Sequence, residues 1–270
     1  MRVLVTRPTG QADRLVDVLE DAGITVSCLP LLHLKAVTEA EKIAAIKKQL
    51  LLLSQQDFVI FISSNAVKYT ADFLAQHHLK WPSSLPCIPI GGATAKAIQD
   101  LGWLLDRVDE PINEHSTESS NQEEKKLSAY NSEKLLAELS QRDVAKKSIT
   151  IFRGEGGREL LADNLTSQGA SVAYCEMYKR QHPNYSREQF KQALGQNLAA
   201  ILFASGETLE NFYRHIQRDE LQDMVENVPM IVPSERIKNL AEHKGFNNIL
   251  IAVNASAEGF LQVITQQLLK

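Results

Sequence analysis

The chain reads as an α/β protein of two similar lobes, each a parallel sheet covered by helices, and three observations predict it. Short apolar runs alternate with amphipathic segments of helical period, the rhythm of parallel strands linked by helices. The chain repeats itself at a spacing near half its length. Its turns concentrate Gly, Ser and Thr where strands would hand over to helices. With 270 residues, 44% hydrophobic and 23% charged, the sequence is long enough to fill two cores and is ordinary for a globular protein.

The first unit begins with the apolar run Val3–Thr6, suited to a buried parallel strand. Leu15, Val16, Leu19 and Ala22 then follow at helical spacing, and Gly23 stands where a helix would be capped. Strand character resumes at Thr25–Leu29. The same alternation returns at 58–74, 87–101, 149–175, 199–217, 229–243 and 248–268. Leu31–Thr38 and Tyr178–Tyr185 look extended and are expected to cross between lobes. Residues 114–131 are polar and poor in large apolar groups, which predicts a surface insertion before a helix opening near Ser132.

The repetition has two registers. At an offset of 146, Val5 falls on Ile151, Arg7 on Arg153, Gly10 on Gly156, Leu19 on Leu165 and Gly23 on Gly169. At 142, Phe61-Ile62-Ser63-Ser64-Asn65 falls on Phe203-Ala204-Ser205-Gly206-Glu207, and Lys96 on Lys238. Any two βαβ units share some of this pattern. The paired arginines and helix-end glycines at one offset favour a duplicated domain over a solenoid, whose period would be far shorter.

Composition removes several functions. A net charge of -4 does not suit a generic nucleic-acid or anionic-membrane binder. Three scattered cysteines without CxxC spacing do not suit a disulfide framework or a zinc site. No apolar stretch approaches the roughly 20 residues of a membrane span, and the N-terminus runs directly into a strand pattern. These features predict a cytoplasmic protein without metal or cofactor. Gly91-Gly92-Ala93-Thr94 lacks the spacing and lysine of a phosphate loop, and Gly154-Glu155-Gly156-Gly157 sets a glutamate where phosphate would sit. The histidines show no metal-ligand spacing, and no GxSxG nucleophile elbow occurs.

What remains are anion-friendly turns at the carboxyl ends of strands, where open α/β sheets bind ligands. Thr6-Arg7-Pro8 and Phe152-Arg153-Gly154 each place a cation beside a helix start, which suits a carboxylate. Arg7 could equally be exposed, with Pro8 setting the first helical turn. Ser63-Ser64-Asn65, Ser205-Gly206 and Pro233-Ser234-Glu235 occupy comparable turns. Their hydroxyls would cap the helices, which leaves other N–H groups for an anion.

Taken in order, VLVTRP, FISSNAV at 61–67, IGGATAKAI at 90–98, IFRGEGGRELLADNLTSQGA at 151–170, MYKR at 177–180, LFASGETL at 202–209 and VPSERIKNLAEHKGF at 232–246 are similar to the uroporphyrinogen-III synthase family. The resemblance spans nearly the whole chain. It implies two lobes joined by a two-stranded linker with a cleft between them: lobe one about 1–36 with 181–270, lobe two about 37–180. It also implies conversion of the small molecule hydroxymethylbilane to uroporphyrinogen III, with loss of water and inversion of ring D through a spiro intermediate. No cofactor is implied. Tyr178 is the candidate for assisting departure of the hydroxyl, or an aromatic that orders the linker. Substrate binding is expected from Arg7, Ser63, Ser64, Asn65, Gly92, Thr94, Arg153, Gly154, Ser205, Gly206 and Ser234. Gly206-Glu207 stands where the family often has Pro-Ser. The alternative is a non-catalytic two-lobed sensor of a small anion or tetrapyrrole, since fold does not fix function. A monomer is expected, with a possible transient contact to the preceding enzyme of the pathway.

Overall fold

The structure, a computed structural model, describes residues 1–106, 135, 139, 142–156 and 159–269. The insertion expected at 114–131 and the helix start expected near Ser132 lie outside the described residues. The chain divides into two compact units, Met1–Leu34 with Arg180–Lys270, and Lys35–Lys179. Among the described residues no helix is long and apolar enough to cross a membrane, and no group of three or more His, Cys, Asp or Glu could hold a metal ion.

The discontinuous unit contains β1 (Arg2–Val5), α1 (Asp13–Asp21), β2 (Thr25–Cys28) and the start of β3 (His33–Ala36). Its later elements are α6 (Arg187–Leu194), β8 (Leu198–Leu202), α7 (Gly206–Asp219), β9 (Met230–Val232), α8 (Glu235–His243), β10 (Ile249–Ile251) and α9 (Ala257–Gln267). The sheet order is β10-β9-β8-β1-β2 and every pair is parallel. Both faces are covered, so successive residues of a strand enter different cores. Val3 and Val5 pack with Leu15 and Leu19 of α1 and Phe260, Val263 and Ile264 of α9. Leu4 packs with Phe190 of α6, Phe212 and Ile216 of α7, and Ile237 of α8. That arrangement explains why these strands are continuously apolar instead of alternating. α1 stops at Asp21 because Gly23 takes φ +76, which an L side chain adopts only at a cost, and Ala22 is exposed there.

The continuous unit holds α2 (Ala40–Leu51), β4 (Phe58–Phe61), α3 (Ser64–Gln76), β5 (Cys87–Pro89), α4 (Gly92–Asp100), β6 (Ser148–Gly154), α5 (Leu160–Ser167) and most of β7 (Ser171–Gln181). Its sheet order is β3-β7-β6-β4-β5, with β7, β6, β4 and β5 parallel. Leu105 adds a parallel bridge beside Cys87 on the outer edge of β5. Phe58, Ile60, Ile149 and Ile151 pack with Leu161 and Leu165 of α5. Elsewhere Phe61 stacks on Phe152 at 4.7 Å between ring centroids, and Trp81 stacks on Trp103 at 4.0 Å.

The two sheets have one wiring. Matching β1 with β6, β2 with β7, β8 with β4 and β9 with β5 turns β2-β1-β8-β9 into β7-β6-β4-β5. The repeat registers of 146 and 142 join these same strand pairs, β1 to β6 and β4 to β8. In the continuous unit the β4–β5 half precedes the β6–β7 half, so the copies are related by circular permutation. Each sheet has its switch of strand order between the two halves: β1 against β8, and β6 against β4. Open α/β sheets bind ligands beyond the carboxyl ends of the strands at such a point.

Candidate functional site

At the switch point of the continuous unit, β4 ends at Phe61 and the chain turns through Ile62 and Ser63 into α3. Ser63 is extended (φ −167°, ψ 156°) and its Oγ accepts the N–H of Ala66 at 3.1 Å. This is ordinary N-capping, in which a hydroxyl satisfies a donor that has no acceptor within the helix. Ser64 and Asn65 form the start of α3. On the adjoining strand, β6 ends at Gly154, opposite Tyr178 of β7.

The register slips by one between Arg153, which faces Glu176, and Gly154, which faces Tyr178. A bulge of this kind re-aims the side chains beyond it. Here Met177 and Tyr178 are consecutive and both buried. The Tyr178 carbonyl accepts the N–H of Glu155 at 2.7 Å, and its hydroxyl lies 3.2 Å from Ser63 Oγ. Its ring stacks on Tyr69 of α3 with centroids 5.1 Å apart and planes 24° apart. Gly154 makes room for that ring: a Cβ there would lie 2.5 Å from Cε2 and 2.7 Å from Cζ. Tyr178 is thus enclosed, with 1% of its surface exposed, while Ser63 is partly exposed. Burial raises the Tyr69 phenol above its ordinary range.

The second turn of this unit is Gly91-Gly92. Gly91 is extended and begins α4, with Gly92 its first residue and Thr94 buried in its first turn. Neither α3 nor α4 has an acidic residue in its first turn, so neither helix answers its own positive dipole end with a carboxylate there.

Arg153, expected to bind substrate, has partners within the unit. Only 6% exposed, it donates to Glu176 Oε1 from Nε (3.1 Å) and Nη2 (2.9 Å), and to Glu159 Oε1 at 3.2 Å. Its guanidinium lies 3.4 Å from the centroid of the Tyr174 ring. Burial and the nearby Glu159 carboxylate push the Tyr174 phenol up to about 12.

The switch point of the discontinuous unit repeats the backbone but not the chemistry. Ser205 caps α7 by accepting the N–H of Thr208 at 3.2 Å, as Ser63 caps α3. Gly206 packs against α8, where a Cβ would meet Leu240 at 3.2 Å. Ser234 caps α8, and Ser256 caps α9. Each of these helices has a glutamate in its first turn: Glu207, Glu235 and Glu258. Glu207 also pairs with Arg180 at 3.3 Å. Arg7 is bound inward. It donates to the Ala255 carbonyl, lies over the Phe260 ring at 5.7 Å, and burial lowers its pKa.

The continuous unit therefore sets Gly154 and Tyr178, on adjacent strands, beside the turn of Ser63, Ser64 and Asn65, with Gly92 and Thr94 beginning the helix after the neighbouring strand. Arg7, Ser205, Gly206 and Ser234 belong to the discontinuous unit. Tyr69 escaped the sequence reading. A tyrosine on a half-buried helix position gives no signal of its partner.

Fold and site together define a class: a duplicated, doubly wound α/β protein whose anion-friendly, hydroxyl-bearing turn sits at a switch point. The profile described as Uroporphyrinogen-III synthase HemD matches residues 13–262, and the chain belongs to the uroporphyrinogen-III synthase family. The uroporphyrinogen-III synthase of Escherichia coli (strain K12) is 28% identical over 98% of this chain and 100% of its own. That of Proteus mirabilis is 33% identical over 70% of this chain and 85% of its own. Among solved structures, the Helicobacter pylori 26695 enzyme shares the fold with a TM-score of 0.62 at 15% identity, over 98% of this chain and 99% of its own. A mutant enzyme from Thermus thermophilus gives 0.61 at 13% identity, over 99% and 100%.

Proposed function

We propose that this chain carries out the reaction of its family, closing hydroxymethylbilane to uroporphyrinogen III with loss of water and inversion of the terminal ring. It is a lyase of tetrapyrrole and heme biosynthesis. The observation that carries the reading of the site is the Ser63–Tyr178 hydroxyl pair at the start of α3, 3.2 Å apart at a switch point.

The substrate is a polycarboxylate that closes unaided to the wrong isomer, so the protein must control shape more than supply acid or base. Helix starts suit that task, because backbone N–H groups hold carboxylates with little dependence on side-chain identity. The starts of α3 and α4 lack acidic residues in their first turns and are the preferred carboxylate seats, through Ser63, Ser64, Asn65, Gly92 and Thr94. Ser205, Gly206 and Ser234 are weaker candidates, since first-turn glutamates adjoin them. Arg153 and Arg7, both bound inward, contribute to the site by bracing it and by long-range charge. Tyr178 assists departure of the hydroxyl. The C–O bond breaks with its electron pair on oxygen, the pyrrole nitrogen supplies electrons to the carbon, and a proton from the protein completes water. Loss of a proton from the closing ring restores the donor.

The protein is read as a cytoplasmic monomer with at most a passing contact to the enzyme that makes its unstable substrate, a reading supported by its ordinary soluble composition. The test generates hydroxymethylbilane in situ, adds the protein, oxidises the products and separates the uroporphyrin isomers. Isomer III in place of isomer I is expected. Persistent isomer I from folded protein would refute the activity and leave the sensor reading.

A further inference from the structure

We infer that Ser63 is the group that meets the departing hydroxyl, and that Tyr178 is a positioning and polarising residue acting through it. The inference rests on the proposed role of the hydroxyl pair, and it follows from counting donors and lone pairs.

The Tyr178 hydroxyl has one proton, is buried, and has Ser63 Oγ as its recorded partner among the described residues. Were Ser63 the donor, the tyrosine proton would be left buried without an acceptor. A buried donor left unpaired is costly, whereas an oxygen with an unused lone pair is tolerated more readily. Tyr178 therefore donates to Ser63. A serine oxygen has two acceptor sites and one proton. Ala66 N–H fills one site at 3.1 Å and Tyr178 O–H fills the other at 3.2 Å. The remaining proton of Ser63 has no partner among the described residues, on a side chain that is partly exposed at the start of a helix whose first turn has no carboxylate.

Both bonds into Ser63 withdraw electron density from Oγ and make its proton a better donor, as chains of hydrogen bonds polarise one another. The positive end of α3 acts in the same direction. As the C–O bond of the hydroxymethyl group lengthens, charge grows on its oxygen. Donors already fixed toward that charge stabilise it without rearrangement. Proton movement along the pair runs from Ser63 to the leaving oxygen and from Tyr178 to Ser63. The proton released on ring closure returns to Tyr178.

The test uses Ser63→Gly, because glycine retains most N-cap stability at this extended position while removing the hydroxyl. Turnover is expected to fall about 10²-fold with KM within about twofold, the scale of one positioned proton donor. Ser63→Thr, which keeps the hydroxyl and cap, restores it. Tyr178→Phe is expected to lose about tenfold, the worth of one hydrogen bond felt through another. The decisive measurement is the double variant. If Tyr178 works through Ser63, Ser63→Gly/Tyr178→Phe turns over no more slowly than Ser63→Gly alone. Independent roles give about 10³-fold instead, the product of the single losses, and overturn the inference. Full turnover in Ser63→Gly beside a defect in Tyr178→Phe would also overturn it, since the tyrosine would then meet the substrate itself. Full turnover in both variants would remove the pair from the mechanism, while isomer III from wild type still upholds the family activity. If Ser63→Gly does not fold, Ser63→Asp, which keeps a capping oxygen but has no proton to donate at neutral pH, takes its place in the cycle, with the same two readings.

Discussion

Gly154→Ala is a one-carbon change whose consequence can be worked from distances. No positive φ demands glycine at this position, so the effect is steric alone. The added Cβ would lie 2.5, 2.7 and 3.0 Å from Cε2, Cζ and Cδ2 of Tyr178. Carbon atoms in contact sit about 3.5–4.0 Å apart, so the ring must withdraw by about 1 Å. Tyr69 stacked on the ring and the near-complete burial of Tyr178 leave little room for that movement. Overpacking of this kind costs about 1–3 kcal/mol. For a unit of this size the melting temperature should fall by about 2–10 °C. The hydroxyl, now 3.2 Å from Ser63, would leave hydrogen-bonding range, and misplacement by about 1 Å at a reacting group can cost about 10²-fold in turnover. Thermal melts and the isomer assay, run on the same preparation, read both effects. Adding Tyr178→Leu shortens the obstructing side chain, so the double variant should recover part of the stability that Gly154→Ala alone loses, which is coupling between neighbours. A Gly154→Ala protein that melts and turns over like the parent would refute the enclosure of Tyr178 against this glycine, and with it the geometry of the hydroxyl pair.

Two further outcomes follow from buried charges. Arg153→Ala strips Glu176 of its cation and leaves a gap over the Tyr174 ring, and should destabilise the continuous unit by about 2 kcal/mol, tempered because both glutamates reach solvent; an unchanged melting temperature would refute the bracing role. The Asp219 carboxyl, in the discontinuous unit, is held below its ordinary range by hydrogen bonds from the Arg218 guanidinium. A depressed folded pKa contributes stability that is complete above the unfolded value of about 3.9 and is lost as pH falls through the folded one. The melting temperature of Asp219→Asn should therefore trail the parent at neutral pH and converge with it in acid, and a gap that stays constant in melts between about pH 3 and 7 would contradict the linkage.

The sheets were legible because their cause is local. Buried parallel strands must be apolar throughout, their helices must carry one apolar face, and caps must be small polar residues; each rule leaves its mark within a dozen residues. The duplication was legible for the same reason, as two offsets. Why the offsets differ emerges only from the wiring: the strand pairs joined by 146 and by 142 belong to halves whose order along the chain is exchanged between the units. The site was less legible. Ser63 declares itself as a cap, but its contact with Tyr178 depends on a one-residue register slip between β6 and β7, which is a property of pairing. The internal partners of the arginines were illegible for a related reason. A cation at a strand end suggests an anion from solution, yet Glu176 sits opposite Arg153 in the adjacent strand and takes it first.

Duplication supplies two switch points, and their divergence is why the proposed site is set at one of them. The backbone trap is the same in both: a strand, an extended serine and a helix start, at Ser63 and again at Ser205. Around Ser205, Glu207 lies within the first turn and Arg180 pairs with it, so the local field is already answered by the protein's own charges. Around Ser63 the first turn holds Ser64 and Asn65, and the bulge of β7 brings a buried phenol to the capping oxygen. One turn thus starts its helix without a first-turn carboxylate, while its copy carries one that is already paired within the fold. A reaction whose substrate needs restraint more than force is served by such weak, fixed and numerous donors, since they act on developing charge without binding the ground state so tightly that the rearranging ring cannot turn.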